Sequence, residues 1–159
     1  MSRAIYPGTF DPLTLGHLSI IHNGLLAFDK LTVAVLNNPK KEPLFSLEER
    51  VEMLREVLGN ESRIEIDSFD GLLVDYARSK GVHVVLRGLR AVSDFEYELQ
   101  MANMNRHLDD QLVTVFIMAQ DAYFYVSSNL IKEAAILGAD ISKLTPESVA
   151  KRLRAKLKR

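Results

Sequence analysis

Arg3-Ala4-Ile5-Tyr6-Pro7-Gly8-Thr9-Phe10-Asp11-Pro12-Leu13-Thr14-Leu15-Gly16-His17 sets the pattern on which the fold turns. Arg3 to Tyr6 reads as a short strand, Pro7 and Gly8 break it, and an apolar-periodic helix runs from about Gly16 to Phe28. The β-branched run Leu31 to Leu36 then reads as a second strand. The alternation continues along the chain. A helix opens at Ser46, where Ser46 and Glu49 form a capping box, and ends before Gly59, which suits a left-handed residue. Arg63 to Phe69 alternates like a strand, Leu72 to Lys80 reads as a helix closed by Gly81, and Val82 to Leu86 is a nearly continuous apolar strand. Ser93 and Glu96 form a second capping box for a helix to about His107, and Leu112 to Met118 is the fifth strand. A helix from about Ser128 to Leu137 ends at Gly138, and Thr145-Pro146 caps a last, basic helix over about 146–159.

Strands alternating with helices of this length demand right-handed crossovers and a parallel sheet covered on both faces. The expected architecture is a Rossmann-like, doubly wound, five-stranded α/β sheet in a single domain spanning residues 1–159. A chain of 159 residues buries about 70% of the surface its unfolded form exposes, so it needs no disulfide or structural metal. It contains no Cys, which excludes thiolate metal sites and thiol nucleophiles and favours a reducing, cytoplasmic setting. No stretch of apolar residues reaches membrane-spanning length. The net charge of -1 gives no global reason to expect nucleic acid or a membrane as partner. That average conceals an asymmetry: Lys151 to Arg159 hold six basic and no acidic residues, leaving the rest of the chain at -7. The charges on this last helix suit its C-terminal dipole, with Leu153 and Leu157 spaced for packing.

In such folds ligands bind beyond the carboxyl ends of the strands. The first turn places Gly8, Thr9, Gly16 and His17 at a helix N-terminus, whose free N–H groups suit a phosphate; the same residues also suit a tight turn carrying a surface histidine. It is neither a Walker A loop nor G-x-G-x-x-G. Arg87-Gly88-Leu89-Arg90 follows the fourth strand, where guanidinium forks fit phosphate oxygens or bridge to nearby carboxylates. Lys40 and Lys41 lie in the loop after the second strand. Tyr123 to Asn129, after the fifth strand, combines aromatics with Ser127, Ser128 and Asn129, good N-caps that also suit phosphate. Lys132 reads as solvated, His22 as helix surface, His83 as a strand residue, and Met101 and Met104 as core. Together these turns describe a polyphosphate site. Asp11 alone makes no magnesium cage, and no metal-ligating set competes.

With these residues in view, the sequence resembles the bacterial phosphopantetheine adenylyltransferases. The resemblance rests on Arg3 to Pro12, Thr14-Leu15-Gly16-His17, Phe45 to Arg50, Arg87 to Glu98, Met104 to His107 and Val126-Ser127-Ser128, collinear from end to end. It implies transfer of AMP from ATP to 4'-phosphopantetheine with Mg2+, giving dephospho-coenzyme A and pyrophosphate. It also implies a cytoplasmic homohexamer that meets dephospho-coenzyme A or coenzyme A as product or inhibitor. By position it assigns catalysis to His17, Lys41 and Arg90, and the acceptor to Thr9, Lys41, Leu73 and Arg87. ATP falls to Thr9, Phe10, His17, Gly88, Leu89, Arg90, Glu98 and the turn Tyr123, Phe124, Tyr125, Val126, Ser127, Ser128 and Asn129. Two positions depart from the family pattern: Asn129 stands where a third Ser is usual, and Lys40-Lys41 where Ser-Lys is common. The alternatives are a related cytidylyl- or nicotinate-mononucleotide transferase and a non-catalytic nucleotide-binding module.

Overall fold

Five parallel strands carry the chain: β1 (Arg3–Gly8), β2 (Lys30–Asn37), β3 (Ile64–Asp70), β4 (Val84–Leu89) and β5 (Val113–Met118). The computed structural model describes residues 1–38 and 40–158, and at positions 92 and 93 the backbone alone. The helices are α1 (Leu15–Ala27), α2 (Leu47–Leu58), α3 (Leu73–Lys80), α4 (Val92–Leu108), α5 (Ser128–Ile136) and α6 (Glu147–Leu157). The strand order is β3-β2-β1-β4-β5. The chain therefore winds outward from β1 through β2 to β3, then returns to the other side of β1 with β4. The gap between β1 and β4 is the switch point of this Rossmann-like sheet, where successive connections leave in opposite directions and a crevice opens.

The period of two along each strand divides the core between the two faces. Ala4, Tyr6, Leu31, Val33, Val35 and Leu86 face α1, α2, α5 and α6 and meet Ile20, Met53, Leu54, Ile131 and Leu153. Ile5, Ala34 and Val85 face the opposite way and meet Val74, Tyr76 and Ala77 of α3. Helix α1 can lie close to β4 because a Cβ at Gly88 would sit 2.7 Å from Ile20 Cγ1, and one at Gly24 would sit 2.7 Å from Leu86 Cδ2. No helix among the described residues is long and apolar enough to cross a membrane.

Several local expectations are revised. β1 runs on to Gly8, and β4 starts at Val84 and continues to Leu89. His83 therefore precedes the strand, while Arg87 and Gly88 lie inside it, held by pairing of Gly88 with Ile117. Gly59 is right-handed (φ -63°) rather than left-handed; it is a glycine where a Cβ would lie 2.4 Å from the Arg55 carbonyl oxygen. Gly81 does take the left-handed conformation (φ 61°). α4 begins at Val92 with Ala91 as its cap, so Ser93 lies within the helix rather than before it. Pro146, not Thr145, occupies the cap of α6, because the Thr145 hydroxyl donates instead to the Leu13 carbonyl oxygen. Met101 and Met104 are exposed rather than in the core, since α4 buries little beyond Glu98.

Candidate active site

The first turn is organised by Thr14. Its Oγ1 caps α1 by accepting the His17 N–H at 3.1 Å, and its own N–H donates to His17 Nδ1 at 3.1 Å. This is a reciprocal capping box with imidazole in the place usually held by Glu or Gln. Because Nδ1 accepts a backbone N–H, the ring proton of the neutral form sits on Nε2. Burial, with Arg90 and Arg87 nearby, lowers the His17 pKa to about 4, so the imidazole is neutral at pH 7. A donor of fixed tautomer thus stands at the positive end of α1.

Phe10 makes the floor. It adopts positive φ (49°), rare for a bulky residue, which buries its ring against Tyr6 and His17 at centroid distances of 5.5 and 5.0 Å. The ring fills the space a side chain on Gly8 would need, its nearest carbon lying 2.9 Å from a Cβ built there.

Period-two geometry separates the neighbours on β4. Gly88 faces α1, whereas Arg87 faces α4, where Nε and Nη2 form a fork with Glu98 at 2.8 and 2.6 Å and Nη1 donates to the Pro7 carbonyl at 2.8 Å. Arg90, past the strand, donates from Nε to Asp94 at 3.1 Å and from Nη1 to the Val126 carbonyl at 2.9 Å. Ser127 caps α5 by accepting the Leu130 N–H, and the Ser128 hydroxyl donates to the Pro12 carbonyl at 2.8 Å. The N-termini of α1 and α5 are thereby tied side by side, two dipoles opening on one space.

That space is a cleft of about 870 Å³. It is lined by Thr9, Phe10, His17, Lys41, Arg87, Gly88, Arg90, Glu98, Val126, Ser127, Ser128 and Asn129. Lys40 does not line it. Nor do Leu73, Leu89, Tyr123, Phe124 or Tyr125. Leu73 packs beside the core of the opposite sheet face, Tyr123 against the main core, and Tyr125 is exposed, because the segment winds through a short 3-10 turn at Asp121–Tyr123 before reaching α5. The glycine at position 88 is explained first by Ile20, ahead of any ligand.

Three residues carry more of the site than their sequence suggested. Lys132 is not free in solvent: it lines the cleft and pairs with Asp11 at 2.9 Å. Its signal was its spacing, one turn after Ser128 on the same face of α5. Asp11 is buried and accepts the Leu44 and Phe45 N–H groups, both at 2.9 Å. Arg50 is buried, with bonds to the Phe45, Ser46, Thr9 and Leu36 carbonyls. Burial holds its guanidinium below the ordinary Arg pKa, with Asp11 and Glu48 opposing that shift. A cation in the first turn of a helix, against the dipole, was the sequence sign of Arg50.

The cleft is not a concentration of unopposed positive charge. Lys41, Arg87, Arg90 and Lys132 share it with Asp11, Glu42, Asp94 and Glu98. Among the described residues no three Asp, Glu or His gather as a metal site. Glu98, Asp94 and Asp11 pair with Arg87, Arg90 and Lys132 respectively.

The sequence profile of the cytidylyltransferase-like family matches residues 5–134. Phosphopantetheine adenylyltransferase of Anaeromyxobacter dehalogenans (strain 2CP-C) is 56% identical over 160 residues, covering 100% of this chain and 98% of the relative. The chain belongs to the phosphopantetheine adenylyltransferase family. The protein of that name from Caldanaerobacter subterraneus subsp. tengcongensis is 51% identical, covering 100% of this chain and 99% of its own length. One from Nitratidesulfovibrio vulgaris (strain DP4) is 55% identical over 153 residues, covering 96% of this chain and 82% of its own. A solved structure described as a nicotinate-nucleotide adenylyltransferase from Vibrio parahaemolyticus superposes with a TM-score of 0.65. It covers 96% of this chain and 99% of its own at 18% identity, a likeness of fold.

Proposed function

We propose that this enzyme transfers the adenylyl group of ATP to 4'-phosphopantetheine. An oxygen of the acceptor phosphate bonds to the α-phosphorus of ATP, the bond to the bridging β-phosphate oxygen breaks, and pyrophosphate leaves with dephospho-coenzyme A as the other product. The observation that carries this reading is the neutral, tautomerically fixed His17 between two helix N-termini in a family of this activity. The acceptor phosphate is already a nucleophile, so no general base is needed. The chain's task is to align two polyanions and stabilise charge on the transferred group.

His17 Nε2–H donates to an α-phosphate oxygen that becomes more negative at the transition state, and is a catalytic residue on that account. Lys41 and Arg87 take the acceptor phosphate with Thr9. Arg90, Gly88, Glu98, Phe10 and the turn Val126 to Asn129 form the ATP side. The geometry supports Lys41 over Lys40, while Leu73, Leu89 and the Tyr123 to Tyr125 aromatics stand outside the cleft lining and keep their assignment from the family resemblance alone. Asn129 still presents its backbone N–H at the start of α5. Mg2+ belongs to this reading as the ion carried in by the triphosphate.

The same proposal takes residues 1–159 as one nucleotidyltransferase domain working in the cytoplasm. Phe95, Leu99, Met101, Met104 and Leu108 leave α4 with exposed apolar residues on two sides, and Val113 and Met118 are exposed on the edge strand β5, which supports assembly into a homohexamer. Light scattering on the purified protein reads that mass directly. Pyrophosphate release is the decisive assay: ATP with 4'-phosphopantetheine gives turnover. Turnover only with CTP, or only with nicotinate mononucleotide as acceptor, refutes the reading, and nucleotide binding without turnover refutes it too.

A further inference from the structure

We propose that Asp11 is a positioning residue for acceptor binding: its carboxylate sets the loop that carries Lys41, and Lys132 is the cation that holds the carboxylate in place. This rests on the assignment of Lys41 to the acceptor phosphate and extends it to residues that touch no acceptor atom.

Asp11 is 4% exposed, and both its oxygens are used. Oδ1 accepts the Phe45 N–H, while Oδ2 accepts the Leu44 N–H and Lys132 Nζ, each at 2.9 Å. Two successive backbone donors on one carboxylate fix the direction in which the chain leaves toward Lys41. Only Glu42 and Pro43 separate Lys41 from Leu44, and Pro43 removes a further torsion from that short span. At its other end Lys41 donates its N–H to the Asn38 carbonyl at 3.1 Å. Arg50 secures the same junction from below, binding the Phe45 carbonyl and, across the turn, the Thr9 carbonyl at 2.9 Å.

The Lys41 side chain itself is exposed and makes no ion pair among the described residues. Its placement at the cleft therefore comes from its backbone. A flexible Lys held only by a mobile loop would lose ordering entropy on meeting the acceptor; a loop anchored at both ends has already lost it. Lys132 supplies the other half of the arrangement. It comes from α5, which also carries Ser128 against Pro12, so the ATP-side helix and the acceptor-side loop share one buried carboxylate.

The test is a double-mutant cycle of Asp11→Asn and Lys41→Ala, read as KM for each substrate, kcat and thermal midpoint. Asp11→Asn keeps one carbonyl acceptor, loses the other, and is expected to raise KM for 4'-phosphopantetheine about tenfold. KM for ATP should stay near that of the parent. In the Lys41→Ala background the same change should add nothing to acceptor KM, because its effect runs through Lys41. Equal acceptor effects in the two backgrounds mean a merely structural Asp11 and overturn the proposal. If Lys41→Ala alone leaves acceptor KM unchanged, Lys41 leaves the site and this proposal goes with it, while pyrophosphate release still judges the reaction itself. Should Asp11→Asn not fold, Lys132→Met carries the test, since it keeps both backbone bonds and removes only the ion-pair partner. It is expected to raise acceptor KM about threefold; no rise, or a rise confined to ATP, overturns the proposal.

Discussion

Lowering the pH tests the state assigned to His17. Its pKa is lowered to about 4 in the folded chain, chiefly by burial and further by Arg90 and Arg87, against 6.5 when unfolded. At pH 7 the ring is mostly neutral in both states. As pH falls below 6.5 the unfolded chain takes up a proton that the folded chain refuses, so stability present above 6.5 is lost progressively down to about pH 4. A separation of this size corresponds to about 3 kcal/mol from this one group, an upper bound because the ring is only half-buried. Activity should behave differently from an ordinary histidine: the Nε2–H donor persists, so kcat shows no His inflection near pH 6.5. The assays are kcat from pH 5 to 8, urea unfolding at pH 7 and pH 4.5, and the ring 15N shifts of His17 across the range. His17→Ala should lower kcat about 10²- to 10³-fold and flatten this part of the stability profile. A His17 that titrates near 6.5, or that carries its proton on Nδ1 at pH 7, refutes the reasoning, since desolvation and the two arginines oppose the first and the Thr14 N–H bond opposes the second.

Other perturbations probe the frame around that residue. Arg87→Ala should raise KM for 4'-phosphopantetheine by about tenfold and leave Glu98 buried without its fork; an effect confined to ATP kinetics contradicts the assignment. Gly88→Ala should destabilise the fold by about 1–3 kcal/mol in urea unfolding, because its Cβ would lie 2.7 Å from Ile20 Cγ1, and the same change should cost clearly less in an Ile20→Ala background than in the parent. Replacing Arg152 and Lys156 together with Ala should cost about 1 kcal/mol, less at high salt, and leave kcat unchanged, because these side chains pair with Glu52, Glu56 and Glu49 on α2.

The architecture was legible because its signals are local and repeated. A period of two, then a period of 3.6, with capping chemistry at Ser46 and a left-handed Gly81, identify elements without any long-range contact. The cleft residues at strand ends were legible for the same reason: a doubly wound sheet sends its turns to one edge, so Thr9, His17, Lys41, Arg87 and Ser128 had to meet. What escaped was partnership. Nothing local to Lys132 announces Asp11, 121 positions away, and nothing in Arg50 announces the Thr9 carbonyl. Gly59 departs from the left-handed expectation because a glycine after a helix can also be demanded by space: in its right-handed conformation a Cβ would meet the Arg55 carbonyl oxygen. Met101 and Met104 are exposed although their type suits a core, because residue type alone does not say whether a facing surface exists within the chain.

Charge shows best how the structure changes the reading. A polyphosphate site suggested an excess of cations, yet Arg87, Arg90 and Lys132 each meet a carboxylate. The pairing limits what those cations contribute to ground-state attraction, since part of each is spent on Glu98, Asp94 or Asp11. It also fixes their positions, because a fork between Arg87 and Glu98 has one geometry and a solvated Arg has many. Apart from Lys41, which makes no ion pair among the described residues, the field that remains uncompensated is dipolar: the N-termini of α1 and α5 and the Nε2–H of a neutral His17. Such dipoles are set before substrate arrives, and in the proposed transfer they need no reorganisation as charge shifts onto the α-phosphoryl oxygens, so there they would act on the difference between ground and transition states rather than on binding alone. A protonated His17 would attract ATP more strongly in both states. Its neutrality, imposed by burial and by the two arginines, is therefore consistent with a site that selects for the transfer step.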